Sequence, residues 1–520
     1  MLTPVLSVFS ATVPAEELVV NDIDSSVGVI NGDTLFYNID QLVLPPSVDP
    51  ENVTLPDFAN NKLIVKVMYV DTNYEFNSTV TGTKIWYTIG FMFGQDTTFG
   101  LDFDVLDTDI VIPEGTATPS VVLSGTPCFS DFTDGPPTFF FYNSDWDEHE
   151  IAYTSMGFTV DNDATEFSVS LTNGTGSVAG TWRKSDGVLT HLLFDDIVMG
   201  GLDLSDTTIE ISLESKVNRP LGVTVGDQIE MMLEVADLEV TGSGTLYDEG
   251  INQTGLSEVQ ASMASLEGKT MLRFVVNEVY GMYYTCSIYA YNMDTDQLEK
   301  ITDEDIYFNG FFGSIQTVEP PKYDDLNHEF NPSGMGPVIT PDWDIYEGYM
   351  ELGNTLLGVY INEILTIVDP PEDEVVINTV EPTFGFQSKR GYYYFQQAFD
   401  LDVDVNMTDA ITPTLGINGI FNTGIQGVMN EKAYMAFHES GVFAGLRMEA
   451  TVDVTLYDAT SYTGFPAGNV QVNIDFKIRN PDYNPPDAYG GGFIPGFEWL
   501  VAIPAIMGVA AIATISRKRK

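Results

Sequence analysis

The chain has 520 residues, 44% of them hydrophobic, which is enough for a sizeable core and too long for one ordinary domain, so two domains are expected. Its 76 Asp and Glu stand against 21 Lys and Arg, a formal net charge of -55 spread along the chain; this describes an acidic folded surface and argues against nucleic acid as a partner. Two cysteines, Cys128 and Cys286, and four dispersed histidines argue against a zinc framework or a disulfide-dense scaffold, leaving open one inter-domain disulfide or two buried thiols.

Residues 1–20 open apolar, small and uncharged, with a small-residue "SATVPA" site, and read as the later part of a secretory signal that lacks its basic start. Residues 21–217 and 218–479 then read as two β domains, the second a repeat of the first with insertions, because four landmarks recur in one order. "VINGDTLFYNI" from Val29 matches "VTVGDQIEMML" from Val223, and the run from Asn61 matches the run from Gly268, with Lys62 meeting Lys269. "NSDWDEHE" matches "TPDWDIYE", and "KSDGVLTHL" from Lys184 matches "HESGVFAGL" from His438. Insertions in the second copy are expected around 369–390, and "SKVNRPLG" joins the copies.

Period-two alternation after each Gly-Asp turn (Leu35, Tyr37 and Ile39; Ile229, Met231 and Leu233) predicts strands with one buried face. "LIVKVMYV" alternates likewise, with Lys66 between apolar neighbours. Gly187 and Gly441 fall where a hairpin loop needs positive φ. The Asp145-Trp146-Asp147 and Asp342-Trp343-Asp344 motifs predict helix starts, capped by Ser144 and Thr340, with stripes Trp146, His149, Tyr153, Met156 and Trp343, Tyr346, Met350, Leu357 facing the sheet. A ligand-binding role for both aspartates is the competing reading; the helix macrodipole, which favours Asp at a helix start, makes the structural one preferable. The fold class expected is mainly β with minor helix: two tandem homologous antiparallel domains, each a curved sheet or sandwich with one short helix packed on it, plus a C-terminal transmembrane helix.

Strand alternation puts Asp102 with Asp104, and Asp400 with Asp402 and Asp404, on single faces where solvent or a bridging calcium ion would separate the like charges; no other cofactor is indicated. No G-x-S-x-G, P-loop, GxGxxG or HExxH motif occurs, and no carboxylate pair for glycoside hydrolysis can be nominated, so the chain reads as a non-enzyme. Five N-x-S/T sequons, at Asn52, Asn77, Asn173, Asn252 and Asn406, fit a glycosylated exterior.

Residues 480–492, rich in Pro and Gly, read as an extended, partly flexible stalk. In residues 493–520 the uncharged stretch from Trp499 to Ile515 would reach about 25 Å as a helix, and Arg517, Lys518, Arg519 and Lys520 after it place that end in the cytoplasm and the bulk of the chain outside. The order Pro495-Gly496-Phe497, apolar span, basic tail resembles the PGF-CTERM sorting signal of archaeal surface proteins. That resemblance implies recognition by an archaeosortase and exchange of the tail for a lipid anchor; a plain single-span anchor is the alternative.

The repeated part loosely resembles the duplicated β domains of archaeal envelope proteins, which implies a structural, adhesive or surface-layer role with other envelope proteins or glycans as partners. It also resembles half-barrel carriers that hold a lipid in a concave apolar sheet, and an extracellular hydrolase is a third reading. A carrier needs an empty apolar cavity between sheet and helix; a structural protein fills that space with its aromatics.

Overall fold

A computed structural model describes residues 28–43, 62–77, 80–92, 117–123, 139–140, 143, 146–155, 157–174, 176–199, 202–244, 247–248, 256–301, 303–311, 313–316, 336–348, 350, 375–406, 424–456 and 468–487. They form a mainly β structure of two antiparallel sheets.

The first sheet holds β1 (Asp33–Val43), β2 (Lys62–Asn77), β3 (Val80–Met92), β4 (Ala117–Leu123), β5 (Thr159–Asn162), β6 (Glu166–Asn173), β7 (Gly176–Arg183), β8 (Val188–Met199) and β9 (Leu202–Asn218), in the order β4-β3-β2-β1-β9-β8-β7-β6-β5. The second holds β10 (Gln228–Gly244), β11 (Thr270–Tyr280), β12 (Tyr283–Asn292), β13 (Gln297–Lys300), β14 (Ile306–Asn309), β15 (Ser314–Gln316), β16 (Val375–Lys389), β17 (Tyr392–Asn406), β18 (Gly424–His438), β19 (Phe443–Leu456) and β20 (Gly468–Arg479), in the order β15-β14-β12-β11-β10-β20-β19-β18-β17-β16 with β13 beside β12. In each sheet the first strand pairs with the second strand on one side and the last on the other. In each, the Asp-Trp-Asp segment lies in the connection between the outward and returning halves: α1 (Trp146–Ser155) in the first, a helical turn over 343–348 in the second.

The Gly-Asp turns are built alike. Gly32 and Gly226 have φ of 87° and 94°, which only glycine adopts without strain. Asp33 Oδ2 accepts from Ile30 N at 3.0 Å, and Asp227 Oδ2 from Thr224 N at 2.7 Å, so each carboxylate closes its own turn. The β7–β8 and β18–β19 hairpins also correspond: Gly187 and Gly441 have φ of 64° and 87°. Phe140 bridges Val188 in one and Val338 bridges Val442 in the other, so a residue shortly before each Asp-Trp-Asp segment is stitched to the hairpin. Backbone contact is so close there that a Cβ on Gly28 would fall on the Asp186 backbone, and one on Gly222 on the Ser440 carbonyl.

Several expectations need correction. The strands after the Gly-Asp turn do not all have one buried face: in β2, Leu63 to Met68 are buried without a break. Leu63, Val65 and Val67 enter the first sheet's own core with Leu35 and Tyr37, whereas Ile64 and Met68, with Phe36 of β1, join the core of the second sheet. The register pairs Thr34 with Lys66 and Gln228 with Val275, so the match of Lys62 to Lys269 is displaced by two residues; a slip of two keeps every side chain on its face, which is why the sequence patterns still agreed. The 369–390 stretch is not simply an inserted loop, since β16 occupies Val375–Lys389; its Pro382 is tolerated because β16 is an edge strand.

The second sheet carries two helical segments rather than one, the extra being α2 (Leu256–Ser265) against β10. Thr340 does not cap the helical turn: Asp342 O accepts from Ile345 N and Tyr346 N, while Thr340 Oγ1 is 3.0 Å from Tyr346 Oη. Ser144 lies outside the described residues. Cys286 is a buried free thiol, pushed up to about 12 by burial, and Cys128 lies outside the described residues. Among the described residues no helix is long and apolar enough to cross a membrane; the expected span, the signal-like residues 1–20 and the end of the stalk beyond Asp487 fall outside them.

Candidate functional site

The chemistry-bearing residues that the fold draws together lie where the sheets meet. Lys66 sits on the second face of β2 between Ile64 and Met68 and is fully buried. A buried ammonium is tolerable only if its protons find acceptors and its charge a partner. Nζ donates to Gly32 O at 3.1 Å, Thr34 Oγ1 at 2.9 Å and Arg219 O at 3.2 Å, and pairs with Asp342 Oδ2 at 2.7 Å. Asp342, also fully buried, accepts on Oδ1 from Thr34 Oγ1 at 3.1 Å and from Arg219 Nη1 at 3.3 Å.

Arg219 lies just past β9 in the segment joining the sheets and completes the cluster. Its Nη1 and Nη2 form a fork on the Asp344 carboxylate, with Nη2 to Oδ2 at 2.9 Å. Its guanidinium lies 5.6 Å over the Phe36 ring, and Lys66 Nζ 5.9 Å from the Phe311 ring. Two cations thus meet two carboxylates. Burial pulls the Lys66 ammonium below its ordinary value and Asp342 opposes that shift; burial likewise disfavours the Arg219 charge, but Asp344 and Asp342 outweigh it and raise Arg219 above its ordinary value. Every Lys66 proton has an acceptor, so the amine is committed to holding elements together rather than to attack on a substrate.

Around the cluster, aromatic rings occupy the space between helical turn and sheet. Trp343 stacks on Tyr393 at 4.1 Å and 7°, and Tyr346, with Oη donating to Phe311 O at 2.7 Å, meets Phe395 edge-on at 5.8 Å. On the first sheet Trp146 lies 5.3 Å from Phe167, and buried Tyr153 lies 5.9 Å from the same ring. Buried His149 adds to that stripe, whereas Met156 and Leu357 lie outside the described residues. The two motifs therefore differ in use. Asp342 and Asp344 hold the cations of the joint; Asp147 is exposed and accepts from Asn162 Nδ2 at 3.2 Å, and Asp145 lies outside the described residues.

The other expected site residues are scattered. Asp400, Asp402 and Asp404 alternate along β17 in register with Asn430, Val428 and Gln426 of β18; among the described residues no group of three metal-capable side chains forms, and Asp102 and Asp104 lie outside them. Asn77 ends β2, Asn173 ends β6 and Asn406 ends β17, the last two being corresponding strands of the two sheets, whereas Asn52 and Asn252 lie outside the described residues. Pro495, Gly496, Phe497, Arg517, Lys518, Arg519 and Lys520 also lie outside them.

Lys66, Thr34 and Arg219 were not singled out as site residues by sequence reasoning. The available signal was a lone cation inside an unbroken apolar run, "LIVKVM", which marks a strand buried on both faces with a charge that must be matched. No protein-family model, curated protein or solved structure matches this chain.

Proposed function

We propose that the chain is an exported, membrane-anchored, N-glycosylated cell-envelope protein of archaeal type with a structural, adhesive or surface-layer-associated role, built of two homologous β domains. The observation that carries the structural role is the joint: two sheets on one strand plan, pinned by Lys66 and Asp342, with aromatic stacks where a carrier would keep space for a ligand. Duplication is supported by the matched Gly-Asp turns and hairpin stitches. The exterior location rests on the sequons, three of which end strands, on the acidic composition, and on the apolar stretch with its basic tail.

The test is surface proteolysis of intact cells of the source organism combined with fractionation and glycopeptide mass spectrometry. A membrane-associated chain, cleaved from outside and carrying glycan at Asn173 or Asn406, agrees with the proposal. A cytosolic, protease-protected, unglycosylated chain overturns it. Mass spectrometry of the native C-terminus separates lipid exchange from a plain anchor: an intact "RKRK" tail on the mature protein excludes exchange.

A further inference from the structure

Residues 480–487, expected to be part of a flexible stalk, are docked across the outer face of the second sheet. Asn480 anchors the start: its Nδ2 donates to Phe443 O and its N to Ala444 O, both at 3.0 Å. Beyond it the segment enters a furrow with a floor of small residues, Ala436, Ala444 and Gly445, where a Cβ on Gly445 would come within 3.3 Å of Pro485 Cγ. Tyrosines line it. Tyr392 Oη accepts from Asn484 N at 3.2 Å, Tyr394 Oη donates to Pro486 O at 2.6 Å, and Tyr434 Oη donates to Asp487 Oδ1 at 2.9 Å. Arg447 Nη1 donates to Asp487 Oδ2 at 3.0 Å, Lys477 Nζ stands 3.3 Å from Oδ1, and Lys389 Nζ donates to the Asp487 carbonyl at 2.9 Å.

The sequence suits this mode of docking. Prolines fix φ in advance and lack an N–H, so an Asn-Pro-Pro-Asp segment loses little entropy on binding and offers carbonyls to hydroxyl donors, as extended proline-rich segments do in aromatic grooves. Burial alone would raise the Asp487 carboxyl, but Tyr434, Lys477 and Arg447 outweigh it and hold the group below the usual carboxylate range.

We infer that residues 480–487 are a docked strap that sets the length of the tether between the folded sheets and the membrane. The inference rests on the proposed membrane anchor. With the strap docked, only residues 488–492 separate Asp487 from the apolar run that begins at Phe493, a reach of about 17 Å; released from β20, residues 480–492 would reach about 45 Å. The strap therefore holds the second sheet close to the bilayer and passes pull on the anchor sideways into β17, β18 and β19 instead of along β20 alone.

The test compares the full chain with a Tyr394→Phe, Tyr434→Phe, Arg447→Ala variant, which removes three of the strap's partners but keeps the rings that pack the face; a cooperative thermal unfolding verifies that the variant folds, since Arg447 also pairs with Asp475 of β20. Hydrogen exchange reads docking, and energy transfer from a dye on Lys432→Cys (in a Cys128→Ser background) to labelled lipid in phosphatidylcholine nanodiscs reads height. The expected result is protected Asn480 and Asn484 amides that exchange about tenfold faster in the variant, together with a larger dye-to-bilayer distance. Rapid exchange in the unaltered chain overturns docking. Protection with a height that does not change on release overturns the tether role. A chain that fails to enter nanodiscs while its strap stays protected refutes the membrane reading and the tether with it, leaving the docking itself standing. Should the variant fail to fold, Asp487→Asn alone, which leaves the sheet untouched, is read by the same two measurements.

Discussion

Lys66 Nζ lies 2.7 Å from Asp342 Oδ2 with both side chains fully enclosed, and this one pair ties a central strand of the first sheet to the Asp-Trp-Asp turn of the second. Lys66→Met leaves the buried Asp342 carboxylate with Arg219 alone as its cation and takes the ammonium donor from the Gly32 and Arg219 carbonyls, so it is expected to lower stability by about 3–5 kcal/mol. Replacing both, as Lys66→Met with Asp342→Leu, is expected to recover much of that loss, because desolvation of both charges disappears as well. Urea unfolding of the two variants checks it; a Lys66→Met chain within experimental error of the unaltered protein would mean that the pair contributes nothing.

Gly441 has positive φ, and a Cβ there would strike the Ile339 carbonyl, three residues before the Asp-Trp-Asp turn. Gly226, also at positive φ, has open space around it. Gly441→Ala should therefore destabilise far more than Gly226→Ala, which should lose only about 1 kcal/mol from backbone strain. Equal losses in thermal unfolding would contradict the stitched hairpin.

Burial would raise the Asp186 carboxyl, but the hydrogen bond from Arg183 and the charge of Lys216 outweigh it and hold the group below its ordinary range. A carboxyl depressed in the folded state contributes stability that is complete above its unfolded pKa and is lost as pH falls through the folded one. Asp186→Asn should thus reduce stability at neutral pH and flatten its dependence on the acid side, below the ordinary carboxylate range. A variant whose acid-unfolding curve parallels that of the unaltered chain would refute the assignment.

Burial pushes the Cys286 thiol up to about 12, so almost none is thiolate near neutrality. Peptide mapping after iodoacetamide at about pH 8 should find Cys286 unmodified in the folded chain and fully modified in denaturant. Rapid native labelling would place that thiol at the surface.

The strand plan was legible where local chemistry dictates it. Gly32 and Gly226 need positive φ, Asp33 and Asp227 close their turns with their own carboxylates, and Gly187 and Gly441 mark hairpins; each is decided within a few residues. The joint was not legible in the same way. Lys66 reads as a strand residue with apolar neighbours until Asp342 arrives from the other sheet, and nothing local announces that partner. The second buried face of β2 was written in the unbroken run from Leu63 to Met68, but alternation with Lys66 in the middle imitates a half-exposed strand. The strap was missed for a compositional reason: prolines signal a stalk equally well whether it is free or laid against tyrosines.

The central claim is that two sheets on one plan act as one unit pinned at Lys66 and Asp342. Differential scanning calorimetry of the full chain tests it most directly. One cooperative transition is predicted for the unaltered protein, with Lys66→Met lowering it or splitting it into two. Two separate transitions in the unaltered protein, unmoved by Lys66→Met, would contradict the claim.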